Sequence, residues 1–171
     1  MNKLKQKSLS SEDILKTVRT KLMVYRDIKK ASSLKDILGP YKACVILYET
    51  TSDNHGHWCV IFEVNENLIE FFDPYGYMID SQLKYIDPKY KMKRGLNHTY
   101  LIDLILKSDY NEIEWNNYPF QELKEGINTC GRHCITRLMY RKMRLDDYAN
   151  MIKKSGMTGD NFVTKETYFI K

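Results

Sequence analysis

The segment Asn128-Thr-Cys-Gly-Arg-His-Cys134 sets a cysteine, followed at once by glycine, where an apolar pattern of helical spacing begins with Ile135, Leu138 and Met139. A thiol in the first turn of a helix faces unpaired backbone N–H groups, which favour its ionised, nucleophilic form. Cys130 is therefore the candidate nucleophile. Upstream, His57 in Gly56-His57-Trp58 and Asp73 in Phe72-Asp73-Pro74-Tyr75-Gly76 are the partners such a nucleophile needs. An imidazolium beside the thiol lowers its pKa from an ordinary value of about 8.5, and a carboxylate on the other ring nitrogen fixes the tautomer and steadies the charged ring. One histidine then does both acid and base work at a single centre. Gly131 would let a substrate backbone approach the sulfur, and Trp58, beside the histidine, either packs next to the site or lines the substrate groove.

Two strands must bring the histidine and the acid together. The runs His57–Val64 and Leu68–Phe72 are β-rich and joined by the turn-like Asn65-Glu66-Asn67, which predicts an antiparallel hairpin. With those three residues as the loop, Val64 faces Leu68, His57 faces Tyr75, and Asp73 is a diagonal neighbour of His57 on one face. Glu70 then points the other way. A slip of one residue would exchange the two acids, because side chains alternate along a strand.

Elsewhere, Ser10 or Ser11 with Glu12 and Asp13 can cap a helix carrying Ile14, Leu15, Val18 and Leu22. Leu34–Leu38 reads as a short helix or turn ending at Gly39-Pro40, and Ala43–Tyr48 as a first buried strand. Tyr100–Leu106 suits a helix or a strand, Glu112–Trp115 a strand, and Cys130–Arg141 and Leu145–Lys153 two helices, with Tyr168-Phe-Ile170 packed onto the body. The sum is an α+β domain over residues 1–171, with a small mixed sheet between helices.

The set His57-Trp58, Asp73-Pro-Tyr-Gly76, Gln121 and Cys130-Gly131, in this order from about Ala43 to Ile152, resembles the adenain-like and Ulp1-like cysteine proteases of clan CE. The resemblance implies a papain-like, adenain-like core, with histidine and acid from the sheet and cysteine from a buried helix. It implies a glutamine whose amide joins the cysteine N–H in an oxyanion hole. Gln121 is the candidate, although the stretch from Gln121 to Cys130 is longer than the family spacing, so the intervening Leu-Lys-Glu-Gly-Ile must loop out; Asn128 is the fallback donor. Cleavage after small, glycine-rich sites follows from the same resemblance, as does a viral or virophage origin.

Three functions compete on this footing. The leading expectation is a maturation endopeptidase cutting capsid and other structural precursors; the alternative is a deubiquitinase- or deSUMOylase-like protease acting on ubiquitin-like conjugates, with the polar Tyr77–Tyr100 segment as its docking surface. A non-enzymatic metal or binding module is the third, and acetyl transfer would use the same triad. The sequence requires no cofactor, while the resemblance brings DNA or a peptide as an activator.

A zinc site would have to gather His55, His57, Cys59, Cys130, His133 and Cys134, but their spacing does not match common structural zinc sites, and no metal is expected. Cys44, Cys59 and Cys134 read as core thiols and His98 as a surface residue. The hydrophobic content of 43% in 171 residues suits one domain with a substantial core. No apolar run approaches the roughly 20 residues that span a membrane, and Met1–Ser11 is polar and basic, so host cytoplasm, nucleus or the virion interior is expected, with reduced thiols. The 27 Lys and Arg against 22 Asp and Glu give a net charge of +5, carried in part by Lys3, Lys5, Lys7 and the run from Lys89 to Arg94. A solvated basic surface explains them, and weak nucleic-acid binding is the functional alternative.

Overall fold

Two apolar runs, Cys44–Tyr48 and Trp58–Phe62, are buried along their whole length, as expected of central strands covered on both faces. The computed structural model describes residues 1–171 apart from the side chain of Thr51. In it, β1 (Lys21–Val24), β2 (Ala43–Ser52), β3 (His55–Asn65), β4 (Leu68–Phe72) and β5 (Glu112–Trp115) form one sheet in the order β1-β2-β3-β4-β5. The central pairs β2–β3 and β3–β4 are antiparallel and the two edge pairs parallel, so the sheet is mixed.

Alternation along the strands divides the core in two. Val45, Leu47, Trp58, Val60, Phe62 and Phe72 face α7 (Cys130–Met139), α8 (Leu145–Lys154) and α9 (Gly159–Glu166). Cys44, Ile46, Cys59, Ile61, Ile69 and Phe71 face α3 (Tyr25–Ile28), α4 (Leu34–Leu38) and α6 (Tyr100–Leu106). The remaining helices are α1 (Asn2–Gln6), α2 (Ser11–Thr17) and α5 (Pro88–Arg94), with a 3₁₀ turn at Ser81–Tyr85. The expected α+β fold with a small mixed sheet between helices is what the chain adopts.

The hairpin register is the predicted one from Val60↔Phe72 to Glu63↔Ile69. Near the loop it shifts, and Leu68 pairs with Asn65 instead of Val64. The reason is local: Asn65 Oδ1 accepts the backbone N–H of Asn67 at 2.9 Å and of Leu68 at 3.1 Å, closing the turn over Glu66-Asn67, one residue later than predicted.

Three expectations are corrected. Leu22 lies in β1, because the capping box of Ser10 and Asp13 starts α2 but Val18 turns extended and the chain leaves to pair with β2. Helix α7 ends at Met139, and Arg141 reaches back to the carbonyls of Tyr41, Lys42 and Glu63. Of Tyr168-Phe-Ile170 only Ile170 is buried, where the buried Arg132 binds its carbonyl at 3.0 Å; Tyr168 and Phe169 face solvent. Among the described residues no helix is long and apolar enough to cross a membrane.

Candidate active site

His57 stands near the start of β3, Asp73 directly follows β4, and Cys130 opens α7, so three elements deliver one residue each to the same end of the sheet. His57 Nε2 lies 2.8 Å from Asp73 Oδ1. The carboxylate is fully buried and otherwise occupied: Oδ1 also accepts the Tyr75 N–H at 2.8 Å, and Oδ2 accepts Gln82 Nε2 at 2.9 Å. The backbone of Asp73 is clamped by the buried Asn116, whose Oδ1 accepts the Asp73 N–H at 3.0 Å while its Nδ2 donates to the Asp73 carbonyl at 2.5 Å. The Tyr75 ring stacks on the imidazole with centroids 4.3 Å apart and planes at 12°. Such a chain of donors leaves the ring one orientation, with Nδ1 free for the thiol.

Electrostatics then divides the cysteines. Burial opposes a charged imidazolium, but Asp73 and Cys130 outweigh it and raise the His57 pKa to about 9. Burial likewise opposes a thiolate at Cys130, yet the imidazole, together with the backbone N–H groups of Trp58 and Gly131, brings that pKa below the ordinary thiol value. Both shifts favour the thiolate–imidazolium form of the pair. Cys44 is pushed by burial to about 12, and burial with nearby negative charge lifts Cys59 and Cys134 well above the usual range, so these remain inert core thiols.

Gln121 reaches the site by a route the spacing did not suggest. Its backbone N–H and that of Phe120 both donate to the Pro74 carbonyl at 2.9 Å, which ties the segment to the turn after Asp73. The chain from Glu122 to Asn128 loops out, as required. Gln121 is buried, lines the same cleft as Cys130, and donates Nε2 to the Ile127 carbonyl at 3.2 Å and to the Tyr75 hydroxyl at 3.3 Å. Asn128 is committed elsewhere, since its Nδ2 donates to the Gln6 carbonyl at 2.8 Å.

Neither Trp58 nor Gly131, the expected substrate contacts, lines the cleft, and Trp58 takes the other of its two readings, packing beside the site. The Trp58 indole donates to the Leu9 carbonyl at 3.1 Å and packs in the core. A Cβ on Gly131 would meet Leu9 Cβ at 3.1 Å and Trp58 Cδ1 at 3.3 Å, so the glycine makes way for the protein's own N-terminal segment. The main-chain N–H groups of both meet the Cys130 sulfur and favour its ionised form.

No family model matches the chain. Over 169 residues it is 37% identical to the uncharacterized protein V9 of Sputnik virophage, a match covering 94% of each chain. The chain belongs to the same family as V9. A virophage relative accords with the viral setting read from the sequence. Among solved structures, the central domain of the uncharacterized Lpg1148 protein from Legionella pneumophila aligns over 96% of this chain and 99% of its own, at 13% identity and a TM-score of 0.40, too distant to support an argument.

In this V9-family chain the metal alternative reduces to His57, Cys59 and Asp73, whose donor atoms lie within 4.8 Å of one another. Asp73 already holds His57, Tyr75 and Gln82 there, and the Cys59 thiol is kept protonated beside it. His55 is exposed, and His133 is buried against Asp160 at 3.1 Å. His98 is exposed and pairs with Asp103. Gln82, Asn116 and the stacking role of Tyr75 were missed by sequence reading. Only Tyr75 carried a signal, its register opposite His57; a glutamine in a 3₁₀ turn and an asparagine after an edge strand look like surface residues.

Proposed function

We propose that the chain is a cysteine endopeptidase that matures viral structural precursors by cutting at small, glycine-rich sites. The observation that supports it is the Cys130–His57 pair, backed by Asp73, in an open cleft of about 380 Å³. In this reading the thiolate of Cys130 attacks the scissile carbonyl carbon. The oxyanion meets the backbone N–H of Cys130, which has no intrahelical partner at the first position of α7, and Nε2 of Gln121, whose 3.3 Å bond to Tyr75 is long enough to yield. His57 gives its Nδ1 proton to the leaving amine, leaving a thioester. It then takes a proton from the water that attacks the thioester, and the cysteine is restored. Asp73 keeps the ring oriented through both steps.

Labelling with a Gly-Gly peptide carrying a thiol-reactive electrophile tests the reading. Modification confined to Cys130 and lost in His57→Ala is expected; unselective or absent modification of the wild-type protein would overturn it. A second reading, a protease of ubiquitin-like modifiers, draws on Met78 and Tyr85, apolar side chains that are 51% and 59% exposed in the 77–100 segment, with Tyr85 lining the cleft. Competition between a ubiquitin-like fusion and a precursor-type Gly-Gly peptide separates the two, and added duplex DNA in the same assay tests the activator expectation.

A further inference from the structure

Gln121 and Cys130 stand on different segments, joined by a loop that is exposed over most of its length from Glu122 to Asn128. A loop of that kind does not by itself fix the distance between an amide and a sulfur. Behind the site, however, one carboxylate touches both segments. Asp160, buried in the first turn of α9, accepts the backbone N–H of Glu122 on Oδ2 at 3.0 Å. Its Oδ1 accepts the hydroxyl of Thr129 at 2.5 Å and Nε2 of His133 at 3.1 Å. Glu122 directly follows Gln121, Thr129 directly precedes Cys130, and His133 is one turn into the nucleophile helix.

The carboxylate is brought there by close backbone packing. A Cβ on Gly159 would lie 2.0 Å from the Phe120 carbonyl oxygen and 3.3 Å from His133 Cε1, so the start of α9 is pressed directly onto the segment carrying Gln121. Burial opposes the charge on Asp160, but His133, Thr129 and Glu122 outweigh it and hold the carboxyl below its ordinary range. His133, pushed by burial below its own ordinary value, remains a neutral donor.

We propose that Asp160 is a positioning residue: by gripping the residue after Gln121 and the residue before Cys130, its carboxylate sets the amide against the sulfur and governs the oxyanion step without touching substrate. The inference rests on the protease reading. A carboxylate that merely holds the fold together would, when altered, weaken every property of the site in parallel. A positioning carboxylate affects only steps that use both segments.

Two reactions of the same thiol make the distinction. Alkylation by iodoacetamide needs the thiolate but forms no oxyanion, whereas turnover of a fluorogenic Gly-Gly peptide needs both. For Asp160→Asn we expect kcat to fall by about 10- to 100-fold, part of the roughly 10²–10³ that loss of an oxyanion donor costs, with KM and the alkylation rate of Cys130 unchanged. In a Gln121→Ala background the same substitution should add almost nothing, because both changes remove one interaction. Full kcat in Asp160→Asn, an equal fall in alkylation and turnover, or losses that multiply in the double variant would each overturn the proposal. If Asp160→Asn fails to fold, Thr129→Val, which removes one hydroxyl from the same carboxylate, carries the test, and undiminished turnover there overturns it. An inert wild-type protein sinks the protease reading and this inference with it; an active wild type with an equally active Asp160→Asn sinks the inference alone.

Discussion

Both oxygens of Glu70 are held by Arg137 at 2.7 Å, with neither side chain exposed, on the face of the sheet that packs against α7. Asp73, three residues further on, falls on the opposite alternation and takes His57. The acid of the site is thus decided by strand register, and the rejected carboxylate has a structural partner of its own.

Exchanging the roles of these two acids in an experiment should give opposite signatures. Glu70→Gln leaves a buried guanidinium without its counter-charge and should lower unfolding free energy by about 3 kcal/mol or more, with the alkylation rate of Cys130 unchanged in the folded protein. Asp73→Asn should lower unfolding free energy by less than Glu70→Gln, because the amide can keep part of the bonding to His57, Tyr75 and Gln82, and should cut peptide turnover by up to about 10⁴-fold, the cost of the same change in a Ser-His-Asp triad. A larger loss of turnover in Glu70→Gln would reverse the assignment.

The ionised pair predicts a particular pH dependence. Imidazolium at His57 persists until the pH rises through about 9, and the Cys130 thiolate persists down to a pH below the ordinary thiol pKa. Alkylation of Cys130 should already be fast at neutral pH and in His57→Ala should require a more alkaline solution, while peptide turnover should fall on the alkaline side near the upper value. A wild-type alkylation profile rising at about 8.5, as for a free thiol, would refute the pairing.

Gln121→Ala should reduce kcat by about 10²–10³ with little change in KM, whereas Asn128→Ala should affect turnover far less, since its amide is bound to the Gln6 carbonyl. Steady-state kinetics on one Gly-Gly peptide decides between the two donors.

Trp58→Phe removes the indole N–H that meets the Leu9 carbonyl and should cost about 1 kcal/mol of stability. KM should stay as it is. A rise in KM without loss of stability would restore Trp58 to the substrate groove.

The sequence alone determined the fold class, the hairpin and the candidate residues His57, Asp73 and Cys130, because these depend on short-range regularities: the β-rich runs His57–Val64 and Leu68–Phe72 with the turn between them implied the register that faces Asp73 toward His57, and helical spacing after Cys130 put the thiol at a helix start. The resemblance to clan CE proteases, rather than any local pattern, is what called for the segment after Gln121 to loop out. What it did not determine were contacts between residues far apart in the chain. The helical spacing of Ile14, Val18 and Leu22 was overridden when β1 found an edge of β2 to pair with. Trp58 and Gly131 turned away from the cleft because Leu9, far upstream, packs against both. Gln82, Asn116 and Asp160 acquire their roles only when the folded chain sets them beside Asp73, Glu122 and Thr129. Side-chain amides and carboxylates of this kind have no periodicity to announce them; burial among unpaired donors and acceptors, a property of the tertiary structure, is what gives them partners.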